Sequence, residues 1–239
     1  YIAGIILNAG PLPSDSMSPT LLQVGNSDKD TGGDSTDAVW ISDVHAIVGG
    51  GNNATEFQVG TQSMFEIHTD NTTIDNAWLS RSTNSFAGPI INGVNPVNNG
   101  LNIDSNYGHV YGLSCEHTLQ NCVNWNGPYG RVFFYQSELP YDANQTYIDK
   151  KYASFHVGSD AFQGYGMGVY CNFLNDISVD NGIIVDGGSD EIELTNVLTV
   201  FMGGKGGINH VINDDGNTVG TDGNNIQYVC SYEYNTNTP

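Results

Sequence analysis

Two glutamates, Glu116 and Glu138, lie 22 residues apart in two segments that resemble each other, SCEHTLQNCVNWNG (114–127) and RVFFYQSELPYD (131–142). A solenoid coil of about that length would stack the second segment on the first, with both carboxylates on one side and about 5 Å apart at Cβ. Neighbouring carboxylates raise one pKa, and a glycosidase needs a carboxylic acid that is still protonated near neutrality. The spacing therefore indicates acid/base chemistry at a glycosidic bond.

The alternative is that both glutamates are solvated surface acids, because the chain has 26 acidic residues and most carboxylates are not catalytic. Two observations favour a site. Only seven of these acids are Glu, and both candidates are surrounded in sequence by aromatic and amide residues of the kind that line sugar sites.

Alternation along a strand predicts which neighbours share the face of the two glutamates. Gln136, two positions before Glu138, is expected on the same face, where its amide would bind substrate or water. Tyr135 and Ser137 are expected to point inward. His117 follows Glu116 directly, so alternation predicts that it points away from the site and is structural.

Two aromatic residues are further candidates for contact with a sugar. Trp125 lies in a Trp-Asn-Gly turn, where it is either a platform for a sugar ring or a buried anchor of the turn. Tyr141 is expected to line the same cleft just past Glu138.

Composition limits the partners. The 239 residues include 30 Gly, 28 Asn and 19 Asp but only four Lys and two Arg, and the formal net charge is −20. Such a chain cannot neutralise a run of phosphates, so nucleic acid is excluded, and anionic membranes and polyanionic substrates are disfavoured. A neutral polymer fits better, although acidity also serves simply to keep a secreted protein soluble.

Several features favour a secreted, extracellular protein. No apolar run approaches the length of about 20 residues that a membrane span needs, and no signal peptide precedes Tyr1, so the chain is interpreted as processed or excerpted. Three sequons predict N-glycosylation, at Asn53, Asn71 and Asn144.

The cysteines point in the same direction. Cys115, Cys122, Cys171 and Cys230 show no C-x-x-C spacing, which disfavours zinc and redox sites and allows two disulfides. Three pairings remain open, and a Cys115–Cys122 bond requires the loop between them to fold back. No metal or cofactor is expected, because the acidic turns 186–191 and 213–217 are better explained as solvated turns than as Ca²⁺ sites.

Short runs rich in Val, Ile, Phe, Tyr and Thr alternate with Gly, Asn, Asp and Pro, which is typical of an all-β protein. The apolar starts of similar segments, at Ile41, Ile74, Val110 and Val132, are 33, 36 and 22 residues apart, in the range of stacked solenoid coils. Loops are predicted at 25–37, 83–107 and 143–151. A β-sandwich remains the competing fold. No linker divides the chain, so residues 1–239 are predicted to form one domain.

At LSCEHTLQNCVNWNGPYGRVFFYQSELPYD (113–142) the chain resembles glycoside hydrolase family fifty-five, the exo- and endo-acting β-1,3-glucanases. ISDVHAIVGG (41–50), GMGVYCNF (166–173) and GGKGGINHVIND (203–214) extend the resemblance over most of the chain. It implies a right-handed parallel β-helix that corresponds to the C-terminal half of a longer polypeptide with two β-helices.

The resemblance also implies roles for the two glutamates. Glu138 would be the general acid of an inverting hydrolysis of β-1,3-glucan, and Glu116 would help to position the attacking water. The N-terminal β-helix would be the partner that completes the cleft. The chain departs from the family at SDAFQGYG (159–166), where members often carry His and Glu. The alternative function is a non-catalytic solenoid that binds polysaccharide or serves as a structural module of a coat or fibre.

Overall fold

The computed structural model describes residues 1–9, 18–26, 38–49, 59–82, 93–188 and 191–234. These residues form two eight-stranded sheets. The first contains β1 (Ile2–Asn8), β3 (Val39–Val48), β5 (Thr72–Arg81), β7 (His109–Glu116), β9 (Gly130–Glu138), β11 (Ala161–Phe173), β13 (Glu191–Gly204) and β16 (Ile226–Glu233). The second contains β2 (Ser18–Val24), β4 (Thr61–Ile67), β6 (Val97–Ile103), β8 (Val123–Trp125), β10 (Phe155–Val157), β12 (Ser178–Val185), β14 (Gly207–Ile212) and β15 (Val219–Gly220).

From β1 to β14 the chain alternates between the two sheets, and each strand pairs in parallel with the strand two earlier in sequence. This is a parallel β-solenoid, as the sequence predicts, and the antiparallel sandwich is excluded. Antiparallel pairs occur at the C-terminal end of the described chain, where β16 pairs with β13 and β15 with β14.

The apolar starts of the repeated segments stack in register. Ile41 pairs with Ile74, Ile74 with Val110, and Val110 with Val132, and all four side chains are fully buried. The irregular spacing of 33, 36 and 22 residues therefore reflects coils of unequal length around one continuous core. The predicted stacking of the Glu138 strand on the Glu116 strand is confirmed.

Each strand of the first sheet from β1 to β13 bends at a residue in the left-handed conformation that lies at one shared level. These residues stack, because the residues on either side of each are register partners. Gly and Asn adopt this conformation with the least strain, and they predominate in the column. The column consists of Gly4, Asp43, Asn76, Gly112, Phe134, Gly166 and Asn196.

Two of the predicted loops differ from the structure. The segment 83–107 contains β6, so the prediction of a loop across all of it was wrong. The segment 143–151 contains a short helix, α1 (Gln145–Asp149), which begins because Asn144 caps the amides of Thr146 and Tyr147. Most of 25–37 lies outside the described residues. No helix in the described ranges is long and apolar enough to cross a membrane.

Candidate active site

Glu116 and Glu138 end β7 and β9 and are register partners, and Ser114 and Gln136, two positions earlier, are partners as well. The strand ends thus bring both acids and Gln136 to one outer face. Ser114 Oγ donates to Gln136 Oε1 at 3.0 Å, and Gln136 Nε2 lies 3.5 Å from Glu116 Oε1. The amide predicted to bind substrate is therefore aligned with the two carboxylates.

The surroundings of Glu138 disfavour its charged form. Burial raises its pKa, the charge of Glu116 raises it further, and hydrogen bonding from Tyr141 acts in the opposite direction. The side chain is 13% exposed. Its Oε1 is buried and has no hydrogen-bond partner among the described residues. One oxygen of the carboxyl group is thus uncommitted within this part of the protein.

Glu116 has different neighbours. Burial raises its pKa, while hydrogen bonds from the side chains of Trp78 and Gln136 lower it. The two carboxyl groups are therefore drawn toward different partners, Glu116 toward Trp78 on β5 and Glu138 toward Tyr141 beyond β9. This arrangement can separate the tips of two side chains whose backbones lie about 4.8 Å apart.

His117 lies against Glu138, and the prediction that it points away from the site was wrong. Its φ of 65° places it in the left-handed region, so the alternation of β7 ends one residue before it. Its Nε2 lies 3.6 Å from Glu138 Oε2, and its Nδ1 lies 3.3 Å from the carbonyl oxygen of Leu139. The ring also meets that of Tyr141 edge-on, at 4.5 Å between centroids.

A buried ion pair supports this corner of the site. Arg81, at the end of β5, forms a bidentate pair with Asp142, at 2.9 and 2.7 Å, and donates to the carbonyl oxygen of His117 at 3.1 Å. Asp142 directly follows Tyr141, so the pair fixes the loop that carries this tyrosine. Arg81 was not among the residues predicted from the sequence, although it is one of only two arginines in the chain.

Trp125 is not a sugar platform. Its side chain is fully buried, its Nε1 donates to the carbonyl oxygen of Gly127 at 2.9 Å, and its ring packs edge-on against Phe162. The alternative prediction of a turn-anchoring tryptophan is the correct one, because the ring fills the space inside the coil.

A different tryptophan lies at the carboxylates. Trp78 is 42% exposed, stacks on His45 at 4.6 Å, and occupies the register position of Ser114, which is in turn the partner of Gln136. The sequence alone did not single out Trp78, although it lies four residues after Ile74 in one of the repeated segments. Its place beside the carboxylates depends on the register between β5 and β7, which is set by the length of the coil between them.

A cavity of about 490 Å³ lies elsewhere, at the beginnings of β9, β11 and β13. Arg131, Gln163 and Glu193 line it, whereas Glu116 and Glu138 do not. The candidate site is thus separate from this cavity. In the described ranges, no group of three or more His, Cys, Asp or Glu side chains is arranged so that it could hold a metal ion.

The structure does not contain the expected disulfides: all four cysteines are free thiols. The thiol of Cys115 points to the carbonyl oxygen of Cys122 at 3.5 Å, and Cys230 is exposed while Cys171 is buried.

The structure describes two of the three predicted glycosylation sites. Asn71 and Asn144 are exposed, whereas Asn53 lies outside the described residues. Glycosylation at all three remains a prediction.

Comparisons with known proteins agree with this fold. The LAM55 pectate lyase-like domain family matches residues 1–138. An exo-β-1,3-glucanase of Streptomyces sp. (strain SirexAA-E / ActE) is 31% identical over 244 residues, which cover 97% of this chain and 38% of that enzyme. The chain therefore spans well under half the length of this curated relative.

Two solved structures are similar over 96% of this chain and 41% of theirs. One is sacteLam55A from Streptomyces sp. SirexAA-E, with a TM-score of 0.83 and 29% identity. The other is a variant of sacteLam55A in complex with glucose, with a TM-score of 0.82 and 28% identity. The family match covers more than half of the chain, and the fold agrees with it over nearly the whole length: the chain belongs to the LAM55 pectate lyase-like domain family.

Proposed function

We propose that this chain is part of an extracellular glycoside hydrolase that cleaves β-1,3-glucan, with Glu138 as the general acid. The observation that carries the proposal is the register pairing of Glu138 with Glu116, in surroundings that raise the pKa of both carboxyl groups. The name of the Streptomyces relative, exo-β-1,3-glucanase, supports the choice of substrate. The net charge of −20 favours a neutral polymer over a polyanion.

The proposed reaction is hydrolysis with inversion. Glu138 protonates the glycosidic oxygen as its bond to the anomeric carbon breaks, while a water molecule attacks that carbon from the opposite face and gives its proton to a general base. Inverting carboxyl groups stand about 6.5–9.5 Å apart, and the different partners of Glu116 and Glu138 support such divergence. Glu116 then orients the water, and its charge also raises the pKa of the acid.

Three residues are proposed to contact the sugar. Gln136 offers its amide to hydroxyl groups, Tyr141 lines the cleft beside the acid, and Trp78 offers an exposed aromatic surface to the apolar face of a sugar ring. Trp78 is thus proposed as the sugar platform, which is one of the two roles that the sequence left open for Trp125. The opposite wall of the cleft is proposed to come from an N-terminal β-helix half of the same polypeptide, because the relatives are more than twice as long as this chain.

Release of reducing sugar from laminarin tests the assignment of the acid. The Glu138→Gln variant is expected to lose about 10²–10⁴-fold in kcat/KM, because it cannot donate a proton to the leaving oxygen. Glu193→Gln, which changes a glutamate of the same sheet that lines the separate cavity, is the matched control and should retain activity. Each protein is assayed alone and with the proposed N-terminal half. Near wild-type activity of Glu138→Gln would refute the assignment.

Tryptophan fluorescence separates catalysis from binding without turnover. Trp78 and Trp40 are equally exposed, at 42% and 41%, but only Trp78 lies beside the carboxylates. Titration with β-1,3-gluco-oligosaccharides should change the emission of wild type and Trp40→Phe, and Trp78→Phe should abolish the change and weaken binding. An undiminished response in Trp78→Phe would exclude Trp78 as the platform. Binding without hydrolysis, even with the N-terminal half present, would favour the non-catalytic solenoid.

The extracellular setting is part of the proposal. It rests on the three sequons, of which Asn71 and Asn144 are exposed. Fractionation of the producing cells tests it: the protein is expected in the medium, and retention inside the cells would contradict it.

A further inference from the structure

His117 faces Glu138 with a ring whose two nitrogens have different partners. Nδ1 lies 3.3 Å from the carbonyl oxygen of Leu139, and a carbonyl oxygen only accepts hydrogen bonds. Burial is the main cause that lowers the pKa of His117 to about 4, so the ring carries one proton at neutral pH. That proton is placed on Nδ1 by the Leu139 carbonyl, which leaves Nε2 with a lone pair.

The lone pair of Nε2 points to the acid. Nε2 lies 3.6 Å from Glu138 Oε2, just beyond hydrogen-bond distance. A carboxylate would set two acceptors against each other here, in a largely buried place, whereas a carboxylic acid can turn its O–H toward the nitrogen. We propose that His117 is a positioning residue that holds Glu138 in its protonated form by presenting an acceptor nitrogen to it. The inference deepens the proposed function and rests on Glu138 being the acid.

Of the remaining groups around Glu138, some favour its carboxylate form and others disfavour it. The charge of Glu116, one strand away, also disfavours the carboxylate, and the Tyr141 hydroxyl favours it. The Cys171 thiol on β11 lies near enough for the charge of Glu138 to raise its pKa further, beyond the larger effect of burial, to about 12, so it is uncharged. Arg81 lies behind His117, and its charge is countered by Asp142. No fixed cation therefore faces Glu138 directly among the described residues.

The backbone explains why a histidine can take this position. The left-handed φ of His117 turns its side chain toward Glu138, its own amide donates to the carbonyl oxygen of Glu138 at 2.8 Å, and Arg81 holds its carbonyl oxygen. These contacts fix the ring relative to the carboxyl group. An Asn at this position can keep the same backbone conformation but lacks Nε2.

The test is a direct titration that does not depend on activity. The chain has seven Glu and six His, so labelling of the Glu side-chain carboxyl carbons with ¹³C and of the His ring nitrogens with ¹⁵N gives few NMR signals, and Glu138→Gln and His117→Asn assign the two that matter. In the wild type, Nε2 of His117 should be unprotonated at pH 7, and its shift should respond at the midpoint of the Glu138 titration. The midpoint for Glu138 should fall in His117→Asn and rise in Tyr141→Phe.

The opposite signs distinguish a specific contact from simple loosening of the site, which would lower the midpoint in both variants. A protonated Nε2 in the folded wild type at pH 7 would overturn the inference even if the variants failed to fold. A Glu138 midpoint unchanged in folded His117→Asn, or lowered in both variants, would also overturn it. If the coupling is found but Glu138→Gln hydrolyses laminarin normally, the proposed function fails while the contact between the two residues stands.

Discussion

A general acid that works near neutral pH needs surroundings that destabilise its carboxylate without excluding it from substrate. Glu138 meets this requirement mainly through burial and secondarily through the charge of Glu116, while Tyr141 limits the effect. The pairing of Glu116 with Glu138 in register lets the charge of Glu116 raise the pKa of Glu138. The proposed role of Glu116 toward water depends on how far its carboxyl group is drawn toward Trp78.

The buried His117 predicts a pH dependence of stability. Its pKa is 6.5 in the unfolded chain and about 4 in the folded one, so between these values the unfolded chain binds more protons. The free energy of unfolding should therefore fall as the pH drops from about 6.5 to 4, by about 3 kcal/mol in total. Denaturant titrations from pH 7 to pH 4 measure this loss, with His117→Asn as the variant that should lack it.

Glu138 contributes to the pH dependence of the free energy of unfolding with the opposite sign. Its raised pKa in the folded state adds stability at acid pH that is lost as the pH rises through the folded value. The comparison is therefore made in a Glu138→Gln background, which removes this contribution. Equal losses in the proteins with His117 and with Asn at this position would contradict the assignment of a depressed pKa.

At the scale of the strand, the bend column of the first sheet contains one unfavourable residue. Phe134 has a φ of 64° and is 65% exposed, so it carries left-handed strain with little burial in return. Phe134→Asn should raise the free energy of unfolding by about 1 kcal/mol and Tm by about 2–4 °C. Thermal unfolding measures the gain.

The adjacent Phe133 provides the matched control. Its ring stacks between those of Tyr111 and Tyr165, at 5.1 Å between centroids in each case, and its φ is not in the left-handed region. Phe133→Asn should lower Tm. A lower Tm for Phe134→Asn as well would show that its side chain is stabilising and that the bend is not strained.

Much of the first sheet could be predicted from the sequence, because apolar residues at Ile41, Ile74, Val110 and Val132 mark the same level of successive coils. β6 could not, because VNNGLNI has the composition of a loop and becomes a strand only through pairing with β4 and β8. The site predicted from the sequence was incomplete because it relied on strand alternation. Alternation places Gln136 correctly but fails at His117, where one left-handed residue turns the side chain to the other face.

At the scale of the molecule, the solenoid brings the two carboxylates to the outer face of one sheet, and the bend column marks a level that the strands from β1 to β13 share. Trp78, Glu116, Gln136 and Glu138 all follow the bend, whereas the cavity near Arg131 precedes it. The proposed polysaccharide substrate would lie along the part that follows the bend and contact aromatic, amide and acid groups in turn. The proposed N-terminal half would cover this part and complete the proposed cleft.

The central claim is that Glu138 protonates a leaving group, and the dependence on the leaving group tests it most directly. Glucan cleavage releases a sugar hydroxyl that must be protonated, whereas dinitrophenolate leaves without a proton. Glu138→Gln, assayed with the proposed N-terminal half present, should lose about 10²–10⁴-fold in kcat/KM on laminari-oligosaccharides but no more than about tenfold on dinitrophenyl β-glucoside. Equal losses on both substrates would contradict the account, because they would show that Glu138 supports the site without donating the proton.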